Sequence, residues 1–251
     1  MKLLAIDIGN TTTVFGIFKE KTLKEKWKVS SDRDRTEDEW WILIKNTVGE
    51  DFDDVVISSV VPPISEVLRS AFEKHWRKTP LFLEPGVRTG LSIVYDPPSS
   101  VGADRVANAV AGVRKYGFPL IIVDFGTAIT FDVISEKGEY IGGAIAPGTR
   151  ISSEALFTRT AKLPKVELSK PSRVIGKNTV ESIQSGLYHG FIGMVEGILE
   201  KLFQELGGKV RVIATGGEGE LFSSAIKTIE LYDPDLTLEG LRIIHELNRE
   251  K

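Results

Sequence analysis

Two stretches of the chain carry the same succession of apolar and polar positions. In residues 3–18, LLAIDIGNTTTVFGIF, four apolar residues lead to an Asp, one further residue and a Gly. A Thr-bearing tip follows, and then a second apolar run. Residues 120–135, LIIVDFGTAITFDVIS, repeat the order. A four-residue run that is wholly apolar reads as a buried strand. No helix start follows either Gly, so each unit is expected to be strand, polar tip, strand. P-loop and Rossmann sites instead pass from strand to glycine loop to helix. Neither G-x-x-x-x-G-K-[ST] nor G-x-G-x-x-G occurs in the chain.

A second pair of segments supports a duplication. FDDVVISSVV (52–61) and GKVRVIATGG (208–217) both read as short buried strands, each downstream of its own hairpin. Helical patterns fill the intervals. Residues 103–116 put Val106, Ala109, Val110 and Val113 on one face, and 180–206 form the longest helix candidate, with Thr179 as a plausible N-cap. Residues 237–251 read as an amphipathic helix with Leu238, Leu241, Ile244 and Leu247 to one side. The expectation is two α/β domains of one ancestry, 1–117 and 118–251, with a nucleotide between them.

Composition narrows the classes. With 251 residues, 41% of them hydrophobic, the chain can bury a sizeable core. A net charge of −3 gives no electrostatic reason to expect nucleic acid or an anionic membrane as partner. There is no cysteine, which excludes disulfides and thiol nucleophiles and is compatible with a reducing cytoplasm. Only Leu3, Leu4, Ala5 and Ile6 separate Lys2 from Asp7, too few for a signal peptide. The chain is therefore expected to begin inside its own fold and to be cytoplasmic.

The tips carry candidate chemistry. In Asp7-Ile8-Gly9-Asn10-Thr11-Thr12-Thr13 a carboxylate at a strand end can hold Mg²⁺, directly or through water, beside ATP phosphates. Gly9 permits a positive φ, a tight turn and backbone N–H groups aimed at an anion. Asp124-Phe125-Gly126-Thr127-Ala128 repeats the arrangement. A lone D-x-G is an ordinary hairpin turn; two, at matching places in two halves, make a clamp for a polyphosphate.

These tips resemble the phosphate signature of the acetate/sugar kinase, heat-shock chaperone and actin superfamily. The likeness is sharper where Tyr95-Asp96-Pro97-Pro98 precedes Gly102-Ala103-Asp104-Arg105, with Gly142-Gly143-Ala144-Ile145-Ala146-Pro147-Gly148 and Thr215-Gly216-Gly217 following in order. Together they resemble the type III pantothenate kinases, a family with Bvg accessory factor relatives, over residues 3 to about 220. The resemblance implies an α/β fold of two duplicated ribonuclease H-like (actin-like ATPase) domains, with mixed sheets flanked by helices. It implies ATP-dependent phosphorylation of pantothenate to 4′-phosphopantothenate, the first step of coenzyme A biosynthesis. Residues Asp7, Ile8, Gly9, Asn10, Thr11, Thr12, Thr13 and Val14 would bind ATP phosphates, Thr127 would touch ATP, and Gly216 and Gly217 would lie near the nucleoside. Tyr95, Gly102, Ala103, Asp104 and Arg105 would contact pantothenate, with Asp104 the catalytic base. Asp124 would ligate a monovalent cation, K⁺ or NH₄⁺. Thr179 would reach pantothenate across the interface of a homodimer.

The residues fit those roles on their own chemistry. Asp104 falls in the first turn of the 103–116 helix, where the dipole favours a carboxylate able to accept a proton from an attacking alcohol. Acidic residues also occur in first turns for helix stability alone. Arg105 offers a fork of donors to a carboxylate or phosphate. Neither tip contains lysine, so cations would have to neutralise the phosphates. The Gly142–Gly148 stretch reads equally as a close approach to a ligand or as a turn-rich connection. His75, His189 and His245 show no metal-ligand spacing, and Trp40, Trp41 and Trp76 read as packing residues. Glu50, Asp51, Asp53 and Asp54 read as a solvated loop. Gly186, Gly190, Gly193 and Gly197 fall on one face of the 180–206 helix, a costly stripe unless another backbone packs on it, from this chain or a second copy. A kinase for another small alcohol or sugar, and a non-enzymatic nucleotide-binding regulator, are the competing readings; a regulator has no need of the base at Asp104.

Overall fold

The two apolar–tip–apolar segments are antiparallel hairpins. In the computed structural model, which describes residues 1–249, β1 (Lys2–Ile8) pairs with β2 (Thr12–Lys19), and β7 (Leu120–Phe125) with β8 (Ala128–Ile134). The downstream apolar segments are strands as expected. β4 (Asp54–Ser59) lies parallel to β1, and β10 (Arg211–Thr215) parallel to β7. With β3 (Thr22–Ser30) and β5 (Leu81–Phe82), the first sheet runs β3-β2-β1-β4-β5. A two-residue strand, β6 (Ser92–Ile93), lies in the irregular stretch that follows. With β9 (Glu139–Pro147) and β11 (Leu231–Tyr232), the second hairpin's unit repeats the order as β9-β8-β7-β10-β11. The tip-bearing strand is thus central in both, flanked by an antiparallel and a parallel neighbour.

Two compact units result. One comprises Met1–Tyr116 with the C-terminal segment from Asp235, and the other Gly117–Pro234. In the first unit α1 (Glu37–Thr47) starts in a capping box, Thr36 and Glu39 each bonding the other's backbone N–H, and α2 (Pro62–Ala71) starts on two prolines, which need no N–H there. Trp40, Ile44, Ile64 and Leu68 of these helices bury against Leu4, Ile6, Ile8 and Ile57 of the sheet. Each such side chain is worth about 1.5–3 kcal/mol of burial. Trp41 stacks on His75 with ring centroids 4.4 Å apart, so both serve packing.

The first unit also receives α3 (Ala103–Tyr116) and α7 (Leu236–Arg249). The sequence places 237–251 with the second half; the structure packs this helix on α3 and β1, and residues 250–251 lie outside the described residues. Gly240 makes this possible, since a Cβ there would lie 2.5 Å from the carbonyl carbon of Ala107. Ala107 and Ala111 are accordingly buried beside the expected Val106, Ala109 and Val110.

In the second unit α5 (Thr179–Leu206) lays Tyr188, Phe191, Val195 and Leu199 against Ile121, Val123, Phe125 and Phe131. Its N-cap is Asn178, not Thr179: the Asn178 side chain accepts the Glu181 N–H at 2.9 Å, and Thr179 is the first helical residue. Gly207 in the left-handed region closes the helix. Gly142 and Gly143 lie inside β9, not in a loop, and a Cβ on Gly143 would run into the Phe131 carbonyl of β8. The close approach that these glycines allow is between neighbouring strands. The short helices α4 (Thr149–Arg159) and α6 (Gly219–Ser223) complete the unit.

Candidate active site

The first tip is a four-residue excursion between Ile8 and Thr13, which face each other across β1 and β2. The Gly9 N–H donates to the Thr12 carbonyl at 3.0 Å, and Ser31 N–H to the Thr11 carbonyl at 3.0 Å. Gly9 is not among the positive-φ glycines. Its missing side chain serves closeness instead, because a Cβ would lie 3.1 Å from the Thr12 oxygen. Thr13 is buried and shares a 2.8 Å hydrogen bond with Ser31, while Asn10 is exposed and accepts from Arg33 at 3.1 Å. Val14 continues into β2.

Asp7, one residue from the end of β1, accepts a short hydrogen bond from Ser58 of β4. Burial, together with the negative charge of Asp104, pushes its carboxyl up to about 7 against the pull of Ser58. The structure therefore brings Asp7 and Asp104 into electrostatic reach of each other. Ser58 is a partner that sequence reasoning missed; its only trace was a small polar residue inside a buried-strand candidate.

Asp104 occupies the first turn of α3 and accepts the Arg105 N–H at 2.8 Å. Its carboxyl is raised above the ordinary carboxylate range by burial, which outweighs the Arg105 hydrogen bond and charge. The helix terminus alone argued for the opposite direction; desolvation wins. Gly102 is the residue against which this side chain folds, with the position of a Cβ 2.6 Å from the Asp104 Oδ1. Arg105 is buried, and Tyr95 is half-buried in the irregular segment after β6. A cavity of about 470 Å³ opens beneath the start of α3, lined by Leu83, Val87, Leu91, Ile93, Val106 and, of the candidate residues, Ala103.

The second tip is one residue shorter, with Phe125 opposite Ile129. The turn Gly148–Thr149 closes onto it. Gly148 donates to the Thr127 carbonyl at 3.1 Å, and a Cβ on it would lie 2.6 Å from the Gly126 oxygen. From the other side Gly216, at φ +90, packs so close that a Cβ would strike Oδ1 of Asp124. Asp124, Thr127 and Gly216 are thus one assembly, followed directly by Gly217. Thr179 stands exposed at the start of α5.

Among the described residues no group of three or more His, Asp or Glu forms a metal-binding cluster. Single carboxylates at Asp7 and Asp124 suit cations whose other ligands come from phosphates, backbone or water. The Asp7 carboxyl is raised first by burial and then by the Asp104 charge, and a cation beside the pair would offset the second of these.

Comparison with known proteins now decides the family. The model of the type III pantothenate kinase family matches residues 3–201. This chain belongs to the type III pantothenate kinase family. It is 50% identical to a type III pantothenate kinase of Koribacter versatilis, covering 98% of this chain and 96% of that one. It is 51% identical to one of Moorella thermoacetica, covering 98% and 99%. The fold is the duplicated actin-like one expected: a ROK family glucokinase from Streptomyces griseus, solved with glucose and AMPPNP, superposes with a TM-score of 0.54 at 14% identity over all of both chains. The pantothenate kinase is thereby an enzyme that uses ATP as phosphoryl donor, and the sugar-kinase and regulator readings give way to it. Among the described residues no helix is long and apolar enough to cross a membrane.

Proposed function

We propose that this pantothenate kinase transfers the γ-phosphoryl group of ATP to the 4′-hydroxyl of pantothenate with Asp104 as general base. The observation that carries the assignment is the half-buried Asp104 carboxyl at the start of α3, folded against Gly102 and raised above its ordinary value by desolvation. A base whose pKa lies nearer the working pH is better matched to proton transfer. Asp104 takes the hydroxyl proton as the new O–P bond forms, and the bond from the γ-phosphorus to the bridging oxygen breaks to release ADP. Gly102, Ala103, Arg105 and Tyr95 hold pantothenate, with the Arg105 fork suited to its carboxylate. Residues 7–14, Thr127, Gly216 and Gly217 hold ATP. Asp7 would hold Mg²⁺ through water, and Asp124 would hold K⁺ or NH₄⁺; when bound, these ions neutralise phosphate charge that no lysine in either tip can meet. The product enters coenzyme A biosynthesis. The proposed setting is the cytoplasm, with neither nucleic acid nor membrane as partner, in keeping with the mixed charge. Incubation with ATP, Mg²⁺, K⁺ and a panel of alcohols, followed by ADP release, tests the reading. Release at background level with pantothenate ends it.

The active form is proposed to be a homodimer whose interface brings Thr179 to the partner's pantothenate. All four glycines of the α5 stripe are exposed, and a Cβ on Gly186, Gly190, Gly193 or Gly197 would meet nothing within 4 Å beyond the helix's own backbone. Among the described residues no element of the same chain therefore compensates the roughly 1 kcal/mol that each costs. Gly186 and Gly190 line a groove of about 240 Å³ with Pro147, Leu187, Phe191 and Met194. Ile151, Phe157, Val174, Ile175 and Val180 of the same unit are exposed. An exposed glycine stripe beside an apolar groove suits self-pairing about a two-fold axis. Gly190→Leu is expected to lower dimer content and activity together; light scattering that finds a fully active wild-type monomer at assay concentration rejects the dimer.

A further inference from the structure

Several side chains outside the assigned set hold the Thr215–Gly219 loop in place. Tyr232, on β11, pairs with Ala214 of β10, and its hydroxyl donates to the Gly216 carbonyl at 2.8 Å. Its ring lies over Gly219, where a Cβ would come within 2.5 Å of Cε2. At the other end of the loop the Glu218 carboxylate accepts a short hydrogen bond from the Thr149 hydroxyl, which is 1% exposed. The Glu218 N–H donates to the Phe125 carbonyl at 3.2 Å. Thr149 in turn follows Gly148, the residue that closes on Thr127.

These bonds run between three separate parts of the second unit: the Asp124–Thr127 tip, the Gly148–Thr149 turn and the Gly216–Gly219 loop. Gly216 at φ +90 leaves no room for error, since a Cβ would also lie 2.7 Å from the N and carbonyl C of Phe125. A backbone so close to the tip is held in register by whatever fixes its carbonyl. We infer that Tyr232 and Glu218 are positioning residues for the nucleotide, a two-point latch that fixes Gly216 and Gly217 against the second tip without touching the reacting atoms. The inference rests on the reading of this assembly as the nucleotide site.

Steady-state kinetics and equilibrium binding of a non-hydrolysable ATP analogue to the full chain test it. Tyr232→Phe keeps the ring over Gly219 and removes only the hydroxyl. It is expected to raise the KM for ATP and the analogue Kd about fivefold, the worth of one net hydrogen bond. The kcat and the KM for pantothenate stay within about twofold. Glu218→Ala has the same signature, and Glu218→Gln restores ATP KM, because the amide oxygen still accepts from Thr149. A merely structural role moves kcat, both KM values and Tm together, and that pattern overturns the latch. Thr127→Ala serves as the reference. If it raises ATP KM while Tyr232→Phe and Glu218→Ala do not, the latch is wrong and the nucleotide site stands. If Thr127→Ala and both latch variants leave ATP binding unchanged, the site reading itself has failed.

Discussion

The two tips of this pantothenate kinase share a topology and differ in what surrounds their carboxylates. Asp7 lies beside a second acid, Asp104, and one hydroxyl, Ser58, and its proton is held up to about 7. Asp124 lies beside glycine backbone, closed in by Gly216 with Gly148 against the neighbouring tip residues. The first tip therefore sets two acids within electrostatic reach of each other, while the second is packed closely by glycine backbone. A duplicated hairpin fixes where a carboxylate is placed; the chain around it fixes what the carboxylate can do. The excursion is also one residue longer in the first tip, and that extra residue is spent in the Asn10–Thr12 stretch.

Substitutions can break this comparison, and the largest effect is expected at the acid pair. Asp104→Asn is expected to lower kcat by a factor of at least about 10² while ATP binding is nearly retained. A variant with close to wild-type kcat removes Asp104 from the role of base. In the wild type the raised carboxyl of Asp104 is expected to move the acidic limb of the rate profile upward, with activity rising with pH across it, as a pH–rate profile of kcat would show.

Asp7→Asn sharpens the difference through stability. Between pH 4 and about 7 the folded protein holds a proton on Asp7 that the unfolded chain, with its ordinary value of 3.8, has lost. Stability of the ligand-free enzyme should therefore fall as pH rises through that window, by up to about 1.4 kcal/mol per pH unit. The Asn variant should show a flatter Tm against pH and a higher Tm than wild type at pH 8. Thermal melts without Mg²⁺ or nucleotide check this, and identical slopes for the two proteins contradict the assigned proton. At the second tip, Asp124→Ala should be milder, with about a tenfold weaker use of ATP and a blunted response to K⁺. Titration of activity with KCl decides it, an unaltered K⁺ dependence removing Asp124 from cation binding.

Much of this was legible in the linear pattern. Two runs of four apolar residues ending in D-x-G could be read as duplicated hairpins, because a strand buried on both faces leaves no polar position until its end. The candidate residues were named on motif order, but their electrostatics were not. Asp104 at a helix start suggested a lowered pKa, and only the packing around it shows that burial reverses the sign. Gly142 and Gly143 read equally as a close approach to a ligand or as a turn-rich connection, because glycine in sequence does not reveal whether the close neighbour is a ligand or the next strand.

What the sequence alone determined was local: strand and helix periods, the tips, the order of motifs and the family they belong to. Tertiary structure decided which parts meet. The amphipathic pattern of 237–251 called for a helix with one apolar side, and nothing in it named the partner. The C-terminal helix packs on the first unit, and Gly240 permits its close approach to the Ala107 backbone there. Likewise Tyr232, Glu218 and Ser58 carry no motif. Their importance arises from hydrogen bonds across 16, 69 and 51 residues of chain, and long-range pairing of this kind is fixed by folding and not by spacing.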